Sequence, residues 1–320
     1  MPAIYKSPTS PTHAAQLLAE PGARPLAGGT DLLGTLETGL ETASSLVDLT
    51  KVGEFSAIQT LPDGGLRIGG SARLETIAAH RDIEGRFNVL ALAAASVGTP
   101  ALREMGTIAG NLCQRPRCWY LRSHLRCMKN GGDGCPAVEG ENQYHAILGS
   151  GPCHAAHPSD IAVALLALDA SVLVRGPAAT RRISVTELYA NAANDPRSEV
   201  TLAAGEFIEA IELSAASAGG AQQWVKLMQR GAWDFATVSL AGVRRVDGNV
   251  RLALGGVAPM PWLVNPSVGE DVASGELDED SADALAARAL HDAKPLAKNE
   301  YKMQQAAALL TRAMRALSRT

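Results

Sequence analysis

Aromatic residues supply only 4% of this 320-residue chain and charged residues 19%, with a formal net charge of −4. So few aromatics leave little for stacking bases, and a mildly acidic balance gives no basic footprint for nucleic acid. Also missing is an uninterrupted apolar run of the ~20 residues that a membrane-spanning helix needs. The longest, Ile161 to Leu168, stops at Asp169 and suits a buried helix. Residues 1–10 are short of hydrophobics, so no secretory signal is read there. Neither G-x-G-x-x-G nor the lysine-bearing phosphate loop occurs. Hydrophobic residues, at 46%, exclude a disordered chain, and this length can bury a substantial core in two domains.

What the chain does hold is a cysteine cluster. All five cysteines fall between Cys113 and Cys153. A disulfide framework belongs to short secreted chains with even counts, and this chain is long with an odd count. Independent buried thiols are the plainer alternative, yet nothing would crowd them into one segment. Structural zinc sites bring ligands in close pairs such as C-x2-C. Here Cys118, Cys127, Cys135 and Cys153 read C-x8-C-x7-C-x17-C. That spacing favours an iron–sulfur cluster wrapped by a long loop, and it leaves a zinc-stabilised binding module as the reading from another class. Arg115, Arg117, Arg122, Arg126 and Lys129 add positive charge, while Gly131, Gly132 and Gly134 let backbone amides approach an anionic cluster.

Helix and strand signals alternate through the first part of the chain. A helix is expected over Pro11 to Leu18 with Ser10 or Thr12 as cap, then a strand over Arg24 to Leu26 and a helix over Asp31 to Glu41. Strands follow at Ser45 to Leu49 and Gly65 to Ile68, and helices at Leu74 to His80, Phe87 to Val97 and Ser159 to Ala170. Ser171 to Val174 returns as a strand. From about Ala178 the character changes. Phe207 to Leu213 and Gln223 to Met228 read as strands, and Thr237 to Val246 with Asn249 to Val257 as a hairpin turning at Asp247-Gly248 with type I′ geometry. Two helices, Ser281 to His291 and Glu300 to Leu317, close the chain. The expected division is 1–175, an α/β domain with a cysteine-rich insertion at about 113–155, and 176–320, a smaller antiparallel sheet backed by helices.

Two glycine-bearing segments and one helix start frame the cysteines. Leu26, Ala27, Gly28, Gly29, Thr30, Asp31, Leu32, Leu33 and Gly34 join a strand to a helix. Consecutive glycines there let several N–H groups converge on a phosphate, although an ordinary strand–helix turn has the same appearance. In Gly106 to Leu112, Thr107 and Asn111 are neutral groups suited to phosphate or ribityl oxygens. Ser159 and Asp160 begin the helix after the cysteines, where Ser159 also reads as a simple N-cap.

Five segments in this order resemble one family. AGGTDLL (27–33), GTIAGNL (106–112), Ser159-Asp160 leading into IAVALLALDA (161–170), Lys226 with RGAWDFATVSLA (230–241), and GGVAPMP (255–261) are similar to the FAD-binding medium subunits of the molybdenum hydroxylases, the xanthine and carbon monoxide dehydrogenase family. The resemblance covers nearly the whole chain. It implies an α+β fold, with a two-part α/β FAD-binding domain (PCMH-type) followed by the smaller antiparallel domain. It places FAD on Leu26 to Gly34, Thr107, Asn111, Ser159, Asp160 and Lys226. Asp160 would accept from a ribityl or ribose hydroxyl, and Lys226 would be a cation near the flavin ring. As structural alternatives, Asp160 caps its helix and Lys226 snorkels.

Most of that family lacks the segment from about 113 to 155. The insertion resembles those of the flavin subunits of periplasmic aldehyde oxidoreductase and 4-hydroxybenzoyl-CoA reductase, which carry an additional [4Fe–4S] cluster. QRPRCWYLR (114–122), HAILG (145–149), Pro152-Cys153 and AKPLAKNEYK (293–302) look closest to the aldehyde oxidoreductase; the reductase's first cysteine gap is longer and its last shorter. By this resemblance Cys118, Cys127, Cys135 and Cys153 bind the cluster, and Cys113 is a structural thiol.

The implied function is an electron-transfer subunit of a heterotrimeric aldehyde oxidoreductase acting on aromatic aldehydes. A large molybdenum-cofactor subunit would oxidise the substrate, and a small subunit with two [2Fe–2S] clusters would feed this FAD, which reduces an external acceptor. No catalytic acid, base or nucleophile is expected on this chain; His145, His154 and His157 support the loop. A reductase-like or xanthine-dehydrogenase-like subunit, a zinc module and a standalone flavin oxidase are the alternatives. The resemblance implies the periplasm, reached as a passenger without its own signal, with the cytoplasm as alternative.

Overall fold

The computed structural model describes residues 3–192 and 194–319. Residues 1 and 320, the outer ends of the expected division, lie outside the described residues. Three sheets organise the chain. β1 (Ile4–Lys6), β2 (Ala23–Leu26) and β3 (Ser45–Asp48) form a parallel sheet in the order β1-β3-β2. Its crossovers carry α1 (Pro11–Leu18) and α2 (Leu32–Glu37). α1 starts where the sequence places it: Ser10 accepts the His13 N–H and Pro11 occupies the first turn, whose N–H would go unused.

The second sheet is antiparallel and runs β4 (Ile58–Thr60), β5 (Leu66–Gly69), β8 (Phe207–Leu213), β6 (Ser171–Arg175), β7 (Thr180–Ser184). This moves the expected boundary. β7 and β8 lie beyond residue 175, yet β8 fills the middle of the first domain's sheet, between β5 and β6. The chain passes to the third sheet only after Leu213. Between β5 and β6 run α3 (Leu74–Ala78), α4 (Arg81–Arg86), α5 (Asn88–Ala95), α6 (Pro100–Met105), α7 (Ile108–Leu112), α8 (Trp119–Arg122) and α9 (Asp160–Ala167), with a short α10 (Val185–Leu188) after β7.

The third sheet, also antiparallel, has the order β12 (Trp262–Leu263), β11 (Val250–Gly255), β10 (Val238–Arg244), β9 (Ala221–Leu227). Side chains alternate along β10 as a strand requires. Val238 and Leu240 join the core formed with α11 (Pro266–Ala273), α12 (Glu279–Ala289) and α13 (Tyr301–Ser318), whereas Ala241 and Val243 join the core around α9. α9 thus lies buried along its whole length, apolar on every face after Asp160. The β10–β11 turn departs from type I′. Only Gly248 has positive φ (89°), and Arg245 and Asn249 close a three-residue loop, a type I turn with a left-handed glycine.

Candidate functional site

Gly28 brings the two glycine-bearing segments together. A Cβ on it would stand 1.8 Å from the Met105 carbonyl oxygen, so only glycine lets the loop after β2 lie against the end of α6. Gly29 adopts φ 71°, which turns the chain into α2. Leu33 and Thr30 are exposed on this loop, and Leu26, Ala27, Gly28, Gly29, Asp31 and Leu32 are half-buried. The opposing segment begins at Thr107, which is buried and caps α7 by accepting the Gly110 N–H at 3.2 Å.

Ser159 is an N-cap, accepting from the Ala162 N–H at 3.0 Å, and its hydroxyl donates to the Asn111 carboxamide. That bond ties α7 to α9, so Thr107, Asn111 and Ser159 stand at one junction beside the glycine loop. Asp160 and Lys226 stand together at the start of α9. They form an ion pair at 2.7 Å, their side chains 6% and 4% exposed, and Lys226 also donates to the Ser96 carbonyl at 2.9 Å. The lysine therefore does not snorkel. Burial raises the Asp160 carboxyl above its ordinary range, with the Lys226 ammonium acting in the opposite direction.

Asp31 takes an unforeseen direction. Its carboxylate accepts the Arg115 N–H at 2.9 Å, the Arg122 guanidinium at 2.9 Å and the Arg117 guanidinium. Burial alone would raise its pKa; Arg117, the Arg115 N–H and Arg122 outweigh burial and hold it below the usual range. The glycine loop is thereby bound to the cysteine insertion. Further moorings run from Arg115 to Glu41 and Glu199, and from the buried Lys129 to Glu199 at 2.8 Å and the Pro196 carbonyl at 2.6 Å. On its other side the insertion crosses the end of the third sheet. Ile147 and Leu148 donate to the Val257 carbonyl, and Asn299 and Lys302 on or before α13 donate to the carbonyls of His145, Ala146 and Tyr144.

Cys118, Cys127, Cys135 and Cys153 line one small cavity with Tyr120, Leu121, Met128 and Lys129. The five thiols are free. A hydrogen bond shared with Cys153 draws the Cys135 thiol down to about 5 and pushes the Cys153 thiol far up. Burial raises Cys118 as well. Cys113 stands apart at the end of α7, its thiol pushed up to about 12 by burial. Among the described residues no group of three or more His, Cys, Asp or Glu side chains is arranged to hold a metal ion.

Beside this cavity opens a cleft of about 390 Å³ between the insertion and the β9–β10 connection. Arg117, Trp119, Tyr144, His145 and Phe235 contribute to its walls, with the backbone run from Ala155 to Pro158 that leads to Ser159. The Arg117 guanidinium lies 5.1 Å from the Phe235 ring centroid, and Trp119 meets Tyr144 edge-on at 5.5 Å. Cys118 and Ala155 belong to both the cleft and the cysteine cavity, and the His145 Nε2 lies 3.4 Å from the Cys118 Sγ. Burial lowers the His145 imidazole to about 4, so it is neutral near pH 7. Sequence reasoning gave Glu41, Glu199 and Phe235 no site role, and placed His145 only as loop support. Their partners lie far away in the chain, and no local pattern announces them.

Comparison with known proteins follows the same divisions. The FAD binding domain of molybdopterin dehydrogenases matches residues 2–215, and the C-terminal domain of carbon monoxide dehydrogenase flavoproteins matches residues 223–317. The gap between them begins after β8 and ends within the first residues of β9. The aldehyde oxidoreductase FAD-binding subunit PaoB of Escherichia coli K12 is 37% identical over 93% of this chain and 93% of its own. The carbon monoxide dehydrogenase medium chain of Afipia carboxidovorans is 24% identical over 97% and 94%. A crystal structure of a Cu,Mo-containing carbon monoxide dehydrogenase superposes with a TM-score of 0.76 over 99% of this chain and 98% of that one, at 23% identity. Matched over both its domains and related along nearly its full length, this chain is an oxidoreductase subunit that belongs to the FAD-binding medium subunits of the molybdenum hydroxylase family.

Proposed function

We propose that the chain is the FAD- and [4Fe–4S]-carrying electron-transfer subunit of a heterotrimeric, molybdenum-dependent aldehyde oxidoreductase acting on aromatic aldehydes. The full-length likeness to an aldehyde oxidoreductase subunit supports the reaction class. The observation that carries the cofactor reading is the shared wall: four cysteines open on one cavity, and Cys118 belongs also to the aromatic cleft, whose Arg117 pairs with Asp31 of the glycine loop. Substrate oxidation is assigned to a large molybdenum subunit, and a small subunit with two [2Fe–2S] clusters delivers the electrons.

Four thiols around one cavity, two glycines and a set of neutral polar atoms support this reading. Gly28 and Gly29 leave backbone N–H groups approachable, Thr107, Asn111 and Ser159 add neutral polar atoms, and Leu26 to Gly34 forms the loop that would hold the dinucleotide. Asp160 and Lys226 support this bed from behind by fixing the start of α9 against β9. Cys118, Cys127, Cys135 and Cys153 would hold the cluster, with Lys129 in the same wall as the nearby positive charge. FAD supplies the exchange between one-electron clusters and a one- or two-electron external acceptor. The chain's own part would be to hold the dinucleotide on the glycine loop and the cluster on the four thiols of the adjoining insertion. The periplasm, reached as a passenger of a partner chain, is the compartment we assign, and fractionation of the assembled enzyme checks it.

Purifying the complex anaerobically tests the cofactor reading. One FAD and about four irons traceable to this chain are expected, and Cys127→Ser or Cys135→Ser should remove those irons while flavin remains. One zinc per chain and no flavin absorption would replace this reading with the zinc module. Aldehyde turnover by this chain alone would assign it as a standalone oxidase.

A further inference from the structure

We infer that Asp31 is a positioning residue that couples the cysteine site to FAD binding, so that filling either site tightens the other. The inference rests on the cofactor reading above. Asp31 stands at the N-cap position of α2, yet its side chain makes no cap hydrogen bond there. The carboxylate is committed instead to three donors from the start of the insertion, the Arg115 N–H and the Arg117 and Arg122 guanidiniums, which flank Cys118 in sequence. α2 has only six residues and follows two glycines, so the loop from Leu26 to Gly34 gains little rigidity from itself. Its shape is imposed from outside, at Met105 by close packing and at Asp31 by charge.

The insertion end of this link is equally specific. Arg122 also donates to the carbonyls of Pro116 and Arg115, folding the chain around Cys118 into a turn that presents both arginines together. Arg117 adjoins Cys118 and reaches the cleft. A ligand that fixes Cys118 and Cys127 therefore fixes the guanidiniums, and through Asp31 it fixes the glycine loop. Without the carboxylate the two guanidiniums would repel each other and loosen the turn. Coupling of this kind is reciprocal in binding free energy and typically amounts to 5–150-fold.

The test is a double-mutant cycle on the assembled complex. FAD is stripped and titrated back, and iron content and FAD dissociation constant are both measured. Cys127→Ser should remove about four irons and weaken FAD about tenfold. Asp31→Asn should keep the irons and weaken FAD by a similar factor. The two together should weaken FAD no more than either alone. Hydrogen exchange over residues 26–34 should rise in all three. If Asp31→Asn fails to fold, Arg122→Gln removes one donor and carries the same cycle. Unchanged FAD affinity on loss of the irons, or a double variant weakened by the product of the two single factors, would overturn the inference. Wild-type complex without iron would instead defeat the cofactor reading, and the iron measurement separates the two failures.

Discussion

The junction of the two domains and the cysteine insertion are assembled on opposite principles. At the junction, α9 is buried from Asp160 to Ala167 between α5 and the third sheet, with the Asp160–Lys226 pair enclosed at its start and Asp169, just past its end, paired with Arg245 and Arg251. Area and close packing supply the stability there. Among the described residues the insertion's helical structure is two short turns, α8 and Met128–Asn130, and polar bonds moor it to distant parts of the chain that include Asp31, Glu41, Glu199, Val257 and the approach to α13. A region held in this way depends on each partner and on what it wraps. The junction should therefore tolerate loss of the cysteine site, and the insertion should not.

The largest expected effect falls on the junction. Lys226→Met leaves the Asp160 carboxylate buried without its counter-ion, which should cost about 3–5 kcal/mol in urea unfolding. Adding Asp160→Asn should restore part of that loss, since the remaining amide carries no charge. Iron content should not change. A Lys226→Met loss below ~1 kcal/mol would mean that the pair contributes no more than a surface bridge, and the contrast between the regions would fail.

The same contrast explains what the sequence disclosed. α1, β8, α9, the β10–β11 hairpin and both closing helices follow from local signals: Ser10 before Pro11, alternation, the apolar run from Ile161, Gly248. Which sheet a strand joins is not local. β8 reads as the same strand in either domain, and only pairing with β5, far upstream, places it in the first. The four cysteines that share one cavity, and the glycine that turns the chain after β2, were legible as patterns because spacing is written in the chain. The intrachain partners of Asp31, Asp160 and Lys226 were not, because a charged residue's letter does not name the distant opposite charge it meets. Asp160 and Lys226 neutralise each other where water is excluded.

Lys302 tests the insertion side through pH. It lies 1% exposed on α13, donates to the Tyr144 and Gly256 carbonyls, and has no carboxylate partner among the described residues. Burial lowers its pKa from 10.5 to about 7. Between those values the unfolded chain binds a proton that the folded chain does not, so this residue makes stability rise with pH. The slope approaches ~1.4 kcal/mol per pH unit, and below pH 7 it vanishes because both states are protonated. Unfolding midpoints from pH 7.0 to 9.0 should rise in the wild type and stay flatter in Lys302→Met. Equal slopes in the two would show that the ammonium stays charged on its two carbonyls.

The smallest effect divides the insertion's own moorings. Glu141 and Lys298 form an ion pair in which both side chains are about half exposed or more, and water and salt screen such a pair. Glu141→Gln should therefore change stability by less than ~1 kcal/mol, and added salt should erase even that. The next residue is the control. Asn142 is 1% exposed, donates to the Ala137 carbonyl at 2.9 Å and accepts the Lys298 N–H at 2.9 Å. Asn142→Ala leaves those backbone groups unpaired in the interior, where each costs about 1–3 kcal/mol. Adjacent residues joined to the same Lys298 would then differ severalfold through burial alone. A Glu141→Gln loss as large as that of Asn142→Ala would mean that charge, and not enclosed hydrogen bonding, holds the insertion to α13.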